Sequence, residues 1–196
     1  MSNTSKTKTN TRTVAIGAAL TAIVIVLQLL GSFIHLGPFS VSLVLVPIVI
    51  GAATCGVGIA TWLGFVFAVT VLLSGDAAAF MGINIFGTIV TVVLKGMACG
   101  FAAGLVFKAL QKVNFLVAVL AASVICPIVN TGVFLLGCWV FFLEEIASWG
   151  AAGGFTNVAA YMFLGLAGGN FIFELITNLV LSPAVSTILK LTIKKV

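Results

Sequence analysis

Two side chains carry most of the chemistry that this sequence can offer: Lys95 and Glu174, each set in the middle of an apolar stretch. A charge in hydrocarbon costs at least about 2.5–3.5 kcal/mol, so such residues are kept for a partner, a ligand or a wet cavity. Polar companions surround both. Asn84, Thr88, Thr91 and Lys95 follow at steps of four, three and four, and Asn170, Glu174 and Asn178 at steps of four. Helical periodicity puts each set on one face. Asn130 adds a further amide in another apolar stretch. A cation, an anion and several amides at similar depth suit the binding of a polar solute. The same groups also suit a buried Lys95–Glu174 pair that fixes helix register.

Other chemistries lack their residues. No GxxxxGK[ST] run occurs; the nearest, Gly82 to Gly87, continues Thr88-Ile89. Nucleotide hydrolysis by the chain alone is therefore not expected. HExxH and GxSxG are absent, and the single His35 has no partner nearby in sequence. Cys55, Cys99, Cys126 and Cys138 form no CxxC pair and read as small buried hydrophobes. Glu174 is the one acid inside an apolar stretch, so the carboxylate pair of an acid–base enzyme is missing. No enzyme, cofactor or metal site is expected.

The elements that must position these residues are membrane helices. Hydrophobic residues make up 62% of 196 positions and charged ones 7%, with a mean hydropathy of +1.34. Such a chain cannot clothe a soluble domain, and lipid forces its backbone into helices. Apolar stretches at about 13–34, 41–55, 58–74, 82–107, 115–142 and 157–189 predict an all-α integral membrane protein of six transmembrane helices. The second is short for a span, and together with the third it also suits one re-entrant element.

Charge supports an even count. Of 13 charged side chains, the 11 outside the spans sort by sign with six crossings. Lys6, Lys8, Arg12, Lys108, Lys112, Lys190, Lys194 and Lys195 fall on one side, and Asp76, Glu144 and Glu145 on the other. The positive-inside rule then makes both termini cytoplasmic. A basic segment 1–12, a single membrane domain 13–190 and a basic tail 191–196 result. The net charge of +5 is a topology signal and no sign of nucleic-acid binding.

Below Lys95 the fourth span changes character to Gly96, Gly100 and Gly104, a ridge suited to close helix packing. The outer half thus reads as a cavity wall and the inner half as a seal. Two outer segments, Gly37-Pro38-Phe39-Ser40 and the glycine-rich Glu144 to Gly154, are expected over the cavity, the latter as a supple lid or a solvated connection. Phe39, Trp139, Trp149 and Tyr161 are expected as aromatic walls or interface anchors. In the first span Ala15, Ala18, Ala19 and Ala22 form small-residue ridges that let another helix approach, from within the chain or from a partner.

These features resemble the substrate-binding S components of energy-coupling factor vitamin transporters over nearly the whole chain. The resemblance rests on the helix count, the basic start, AIGAALTA in the first span, and GPFSVSLVLVPIVIGAATCGVGIATWLGF with Pro47, Gly51, Gly56 and Gly64. The chain departs from the pattern at Gly56-Val57, where Gly-Pro is common, and at Ala60, where Gly is frequent. The resemblance implies a prokaryotic, multi-pass cell-membrane protein that binds a vitamin from outside and topples to deliver it. It also implies association with a membrane coupling subunit and two cytoplasmic ATPases. Asn84, Lys95, Asn130, Asn170 and Glu174 become ligand candidates, and Ala15, Ala18, Ala19 and Ala22 coupling-subunit contacts. Pantothenate is the favoured vitamin, its carboxylate matched to Lys95, with folate, riboflavin, cobalamin and other vitamins also open. The rival reading is a standalone proton- or sodium-coupled transporter using Glu174.

Overall fold

Long apolar helices dominate the computed structural model, which describes residues 3–32, 35–36, 39–40 and 43–194. Helix α1 spans Asn3–Gly31, α2 Leu45–Cys55, α3 Val57–Ser74, α4 Ala78–Met81, α5 Ile85–Leu110 and α6 Phe115–Phe141. Then come α7 at Leu143–Ala152, α8 at Val158–Ala160, a π-helical turn at Tyr161–Leu166, and α9 at Gly168–Lys194. Two two-residue strands, His35–Leu36 and Phe39–Ser40, pair antiparallel between α1 and α2. Gly37, Pro38 and Lys195 lie outside the described residues, so the loop expected at Gly37-Pro38 does too. No break in helix marks the boundaries expected at 12/13 and 190/191, since α1 begins at Asn3 and α9 runs to Lys194.

Among the described residues four helices are long and apolar enough to cross a membrane: Thr11–Gly31 within α1, α3, α5 and α6. Val158–Leu166 and Gly168–Leu181 make a fifth if that pair, bent by 41°, is one span. The remaining expected span, at 41–55, is the 11-residue α2, about 16 Å long and half the hydrocarbon depth. The stretch at 157–189, read from sequence as uninterrupted, is instead broken at Ala167. Glycines allow the break. A Cβ at Gly165 would meet the Tyr161 ring at 2.6 Å, and one at Gly168 the Phe163 carbonyl at 2.6 Å.

The glycine ridge of α5 packs on α3, backbone to backbone. A Cβ on Gly96 would run into the Gly64 carbonyl, one on Gly100 into that of Ala60, and one on Gly104 would lie 2.8 Å from Val57 Cα. Apolar helices in lipid gain little from burial as such, so close van der Waals packing holds this pair together. Around the seam lies a core of Leu20, Val24, Leu45, Ile48, Leu63, Phe67, Cys99, Ala103 and Val119. A second cluster forms where α4, α7 and the π turn meet α6, through Phe80, Cys138, Phe142, Ile146, Met162 and Leu166. The segment expected as a glycine-rich loop is thus largely helical. Glu144 and Glu145 occupy the first turn of α7, where acidic side chains offset the helix dipole.

Candidate functional site

Above the glycine seam the helices separate around a cavity of about 620 Å³, its open mouth included. Among its lining residues are Gln28 of α1, Phe67 of α3, Asp76 and Ala77 of the α3–α4 turn, Phe80 of α4, Thr88, Thr91 and Lys95 of α5, Phe134 of α6, and Asn170 and Glu174 of α9. A smaller hollow adjoins it, lined by Lys95, Asn130, Thr131, Phe134, Leu166, Ala167 and Asn170. The bend at Ala167 is therefore a wall of the site.

Lys95 and Glu174 share the main cavity, yet among the described residues no ion pair joins them. The ammonium lies 5.6 Å from the Phe67 ring centroid and 5.4 Å from that of Phe134. Two aromatic faces stabilise a desolvated cation by about 0.5–2 kcal/mol each but leave its N–H groups without a strong acceptor. A register-fixing salt bridge is not what this geometry contains.

Glu174 is 1% exposed and is oriented by amides. Asn170 Nδ2 donates to Oε1 at 3.1 Å, and Asn130 Nδ2 lies 3.5 Å from Oε2. Asn178 Nδ2 donates to the Glu174 backbone carbonyl at 2.8 Å. Asn170 and Asn130 thus hold the carboxylate and answer part of its burial cost, while Asn178 bonds the backbone of the same face of α9. Nearer the mouth, Gln28 Nε2 donates to Asp76 Oδ2 and ties α1 to the α3–α4 turn.

Four of the five sequence-predicted ligands come together here: Lys95, Asn170 and Glu174 in the main cavity, with Lys95 and Asn170 also meeting Asn130 in the hollow. Asn84 stands apart. It is the N-cap of α5, with Oδ1 accepting from the Gly87 N–H at 2.9 Å, a backbone role typical of Asn at that position. Ala15, Ala18, Ala19 and Ala22 all lie exposed on α1, opposite the buried Gly17, Leu20, Val24 and Gln28. Among the described residues no other helix covers that ridge.

Sequence reasoning missed Gln28, Asp76 and the aromatic wall. Phe67, Phe80, Phe134 and Phe142 line the cavity. Of the aromatics expected to do so, Trp139 is exposed, Tyr161 stacks near Phe155 at 5.3 Å, and Trp149 packs edge-on against Phe80 at 5.6 Å. The side chain of Phe39 lies outside the described residues. Gln28 carried a signal, a lone amide on the face of Leu20 and Val24, and Asp76 was read as a loop charge.

A family model for the substrate-specific component of ECF transporters matches residues 12–189. No curated protein and no solved structure matches the chain.

Proposed function

Because the chain belongs to the family of ECF transporter substrate-specific components, we propose that its cavity binds a vitamin-sized solute from outside the cell. Members of this family are substrate-binding subunits rather than enzymes, and they work with a membrane coupling subunit and ATPase subunits. A multi-span, all-α membrane protein is the form such a subunit takes. The observation that carries the reading is the unpaired placement of Lys95 and Glu174 on one cavity, above a seam closed by Gly96, Gly100 and Gly104.

Both termini are cytoplasmic in this reading, and the chain makes six passages. Support comes from the foot of α2, where Cys55 Sγ lies 3.9 Å from the Thr13 carbonyl. The chain leaves α1 at Gly31 and is back at the level of Thr13 by Cys55, which supports a crossing between those two points. The cavity then opens on the side of Asp76, Glu144 and Glu145, and the basic ends lie in the cytoplasm of a prokaryotic cell.

Pantothenate is the leading solute. Its carboxylate would meet the Lys95 ammonium, with Asn130, Asn170 and Glu174 around its polar groups. The exposed ridge of Ala15, Ala18, Ala19 and Ala22 is where the coupling subunit would dock. Mass spectrometry of small molecules that copurify with the detergent-solubilised subunit tests the solute-binding reading. One stoichiometric vitamin is the expected result. A protein that emerges empty, and is not stabilised by any vitamin added back, would overturn it.

A further inference from the structure

The polar wall of the cavity has a sense of direction, set by its two carboxylates. A carboxylate can only accept hydrogen bonds when ionised, so an amide beside it must present its NH2 group and turn its oxygen away. Gln28 does this toward Asp76, and Asn170 and Asn130 toward Glu174. The consequence is a set of buried oxygens facing elsewhere: Gln28 Oε1, Asn170 Oδ1 and Asn130 Oδ1 have no hydrogen-bond partner among the described residues, nor has Thr91 Oγ1. Gln28 is 2% exposed, Thr91 4% and Asn130 4%. Gln28, Thr91 and Asn170 line the main cavity, and Asn130 and Asn170 the hollow beside it.

Unmet buried acceptors cost about 1–3 kcal/mol each, so these positions call for donors: water when the cavity is empty, solute N–H or O–H groups when it is filled. Only Lys95 offers a charged donor in return. From this inventory we propose a substrate class, resting on the solute-binding reading above. The solute carries one anionic or carbonyl group for Lys95 and at least two N–H or O–H donors for the wall of Gln28, Thr91 and Asn170. A carboxylate on a purely apolar body is rejected, because it would seal those acceptors away from water unsatisfied. Discrimination of this kind is steep, since a missing donor strands a buried partner.

A competition experiment reads this directly. The purified subunit is equilibrated with an equimolar mixture of water-soluble vitamins, and retained molecules are identified by mass spectrometry. Pantothenate, biotin and riboflavin carry donors together with an anionic or carbonyl group; nicotinate and lipoate, as carboxylates, carry no donor. Retention of a donor-bearing member at least 100-fold over both donor-free ones is expected. Preferential retention of nicotinate or lipoate would overturn the donor rule and leave solute binding standing, whereas retention of nothing would overturn both. Thr91→Val removes one acceptor, Gln28→Met removes one acceptor together with the donor to Asp76, and both keep the side-chain size. Each should weaken the retained solute about tenfold. Thr91→Val deletes a hydroxyl that has no partner, so its melting temperature should hold or rise. Unchanged affinity in Thr91→Val, or in both variants where both fold, would overturn the proposal.

Discussion

Helix α5 is two helices in one. From Thr88 to Lys95 its inward face is polar and stands back from its neighbours; from Gly96 to Gly104 it has no side chain there and touches α3 backbone to backbone. The same turn geometry serves both, and the difference lies only in what occupies each fourth position. Where the side chains are long and polar, the helices part and a cavity opens. Where they are absent, the helices close and the passage ends. In lipid, apolar burial cannot drive helices together, so the contrast between bulk and its absence shapes the interior.

The largest effect should come from giving the closed half the bulk of the open half. Gly100→Leu drives a side chain into the Ala60 carbonyl, and neither helix can yield without separating along the whole seam. Overpacking of this kind costs about 3 kcal/mol or more. Thermal unfolding in detergent should show a large fall in midpoint, with solute binding lost only as the fold is lost. A stable Gly100→Leu protein would mean that the seam is not what closes the bundle.

Lys95→Ala alters the open half instead. It removes the charge that a solute oxygen would meet while leaving Phe67 and Phe134 in place. Affinity for the solute should fall by about 2 kcal/mol, as when one partner of a buried charged contact is deleted. The melting temperature of the empty protein should change little. Equilibrium dialysis beside a melting curve separates the two halves. A variant that loses stability but keeps affinity would assign Lys95 to the scaffold.

Asn130→Leu gives a smaller effect and sharpens the boundary between the halves. Asn130 reaches Glu174 at 3.5 Å, a longer contact than the 3.1 Å of Asn170. Its loss loosens one side of the carboxylate and should weaken solute by about 1 kcal/mol, the net worth of an ordinary hydrogen bond. Asn170→Leu should exceed it. The reverse order, in affinity measurements on the two variants, would place the solute mainly in the hollow beside Asn130.

Much of this contrast was legible before any coordinates. Lys95 and Glu174 stand out because mid-span charges are rare, and the four-residue steps of Asn170, Glu174 and Asn178 place them on one face. Gly96, Gly100 and Gly104 announce a close contact by the same logic. What was hidden depends on tertiary neighbours. Nothing local separates Phe67 or Phe134 from the other members of a set of 16 phenylalanines. Asn84 kept the right spacing for the polar face, but its place at the start of α5 gave it to the backbone. The break at Ala167 is allowed by the missing side chains of Gly165 and Gly168, in surroundings that only the folded chain defines, although the cluster of Gly165, Gly168 and Gly169 hinted at it. In α7 the glycines suggested looseness, yet Gly150 is where the helix meets Tyr161, and a Cβ added there would lie 3.1 Å from that of Tyr161.

The smallest effect on the isolated subunit should come from α1, whose two faces repeat the division on another scale. Leu20, Val24 and Gln28 are buried against the bundle, while Ala15, Ala18, Ala19 and Ala22 lie exposed among the described residues. Ala19→Trp adds a large apolar group to the outer face, where lipid accommodates it at almost no cost. Melting temperature and solute affinity should both stay near those of the unaltered protein. A helix of another subunit that needs the small ridge to approach would instead be held off by several ångström, enough to forfeit most of the van der Waals contact. Co-purification with coupling and ATPase subunits should therefore fail while solute binding persists. Intact assembly of Ala19→Trp would move the docking surface away from this ridge. Impaired solute binding in the subunit alone would mean that the two faces of α1 are not independent, and that Gln28 feels what is done to Ala19.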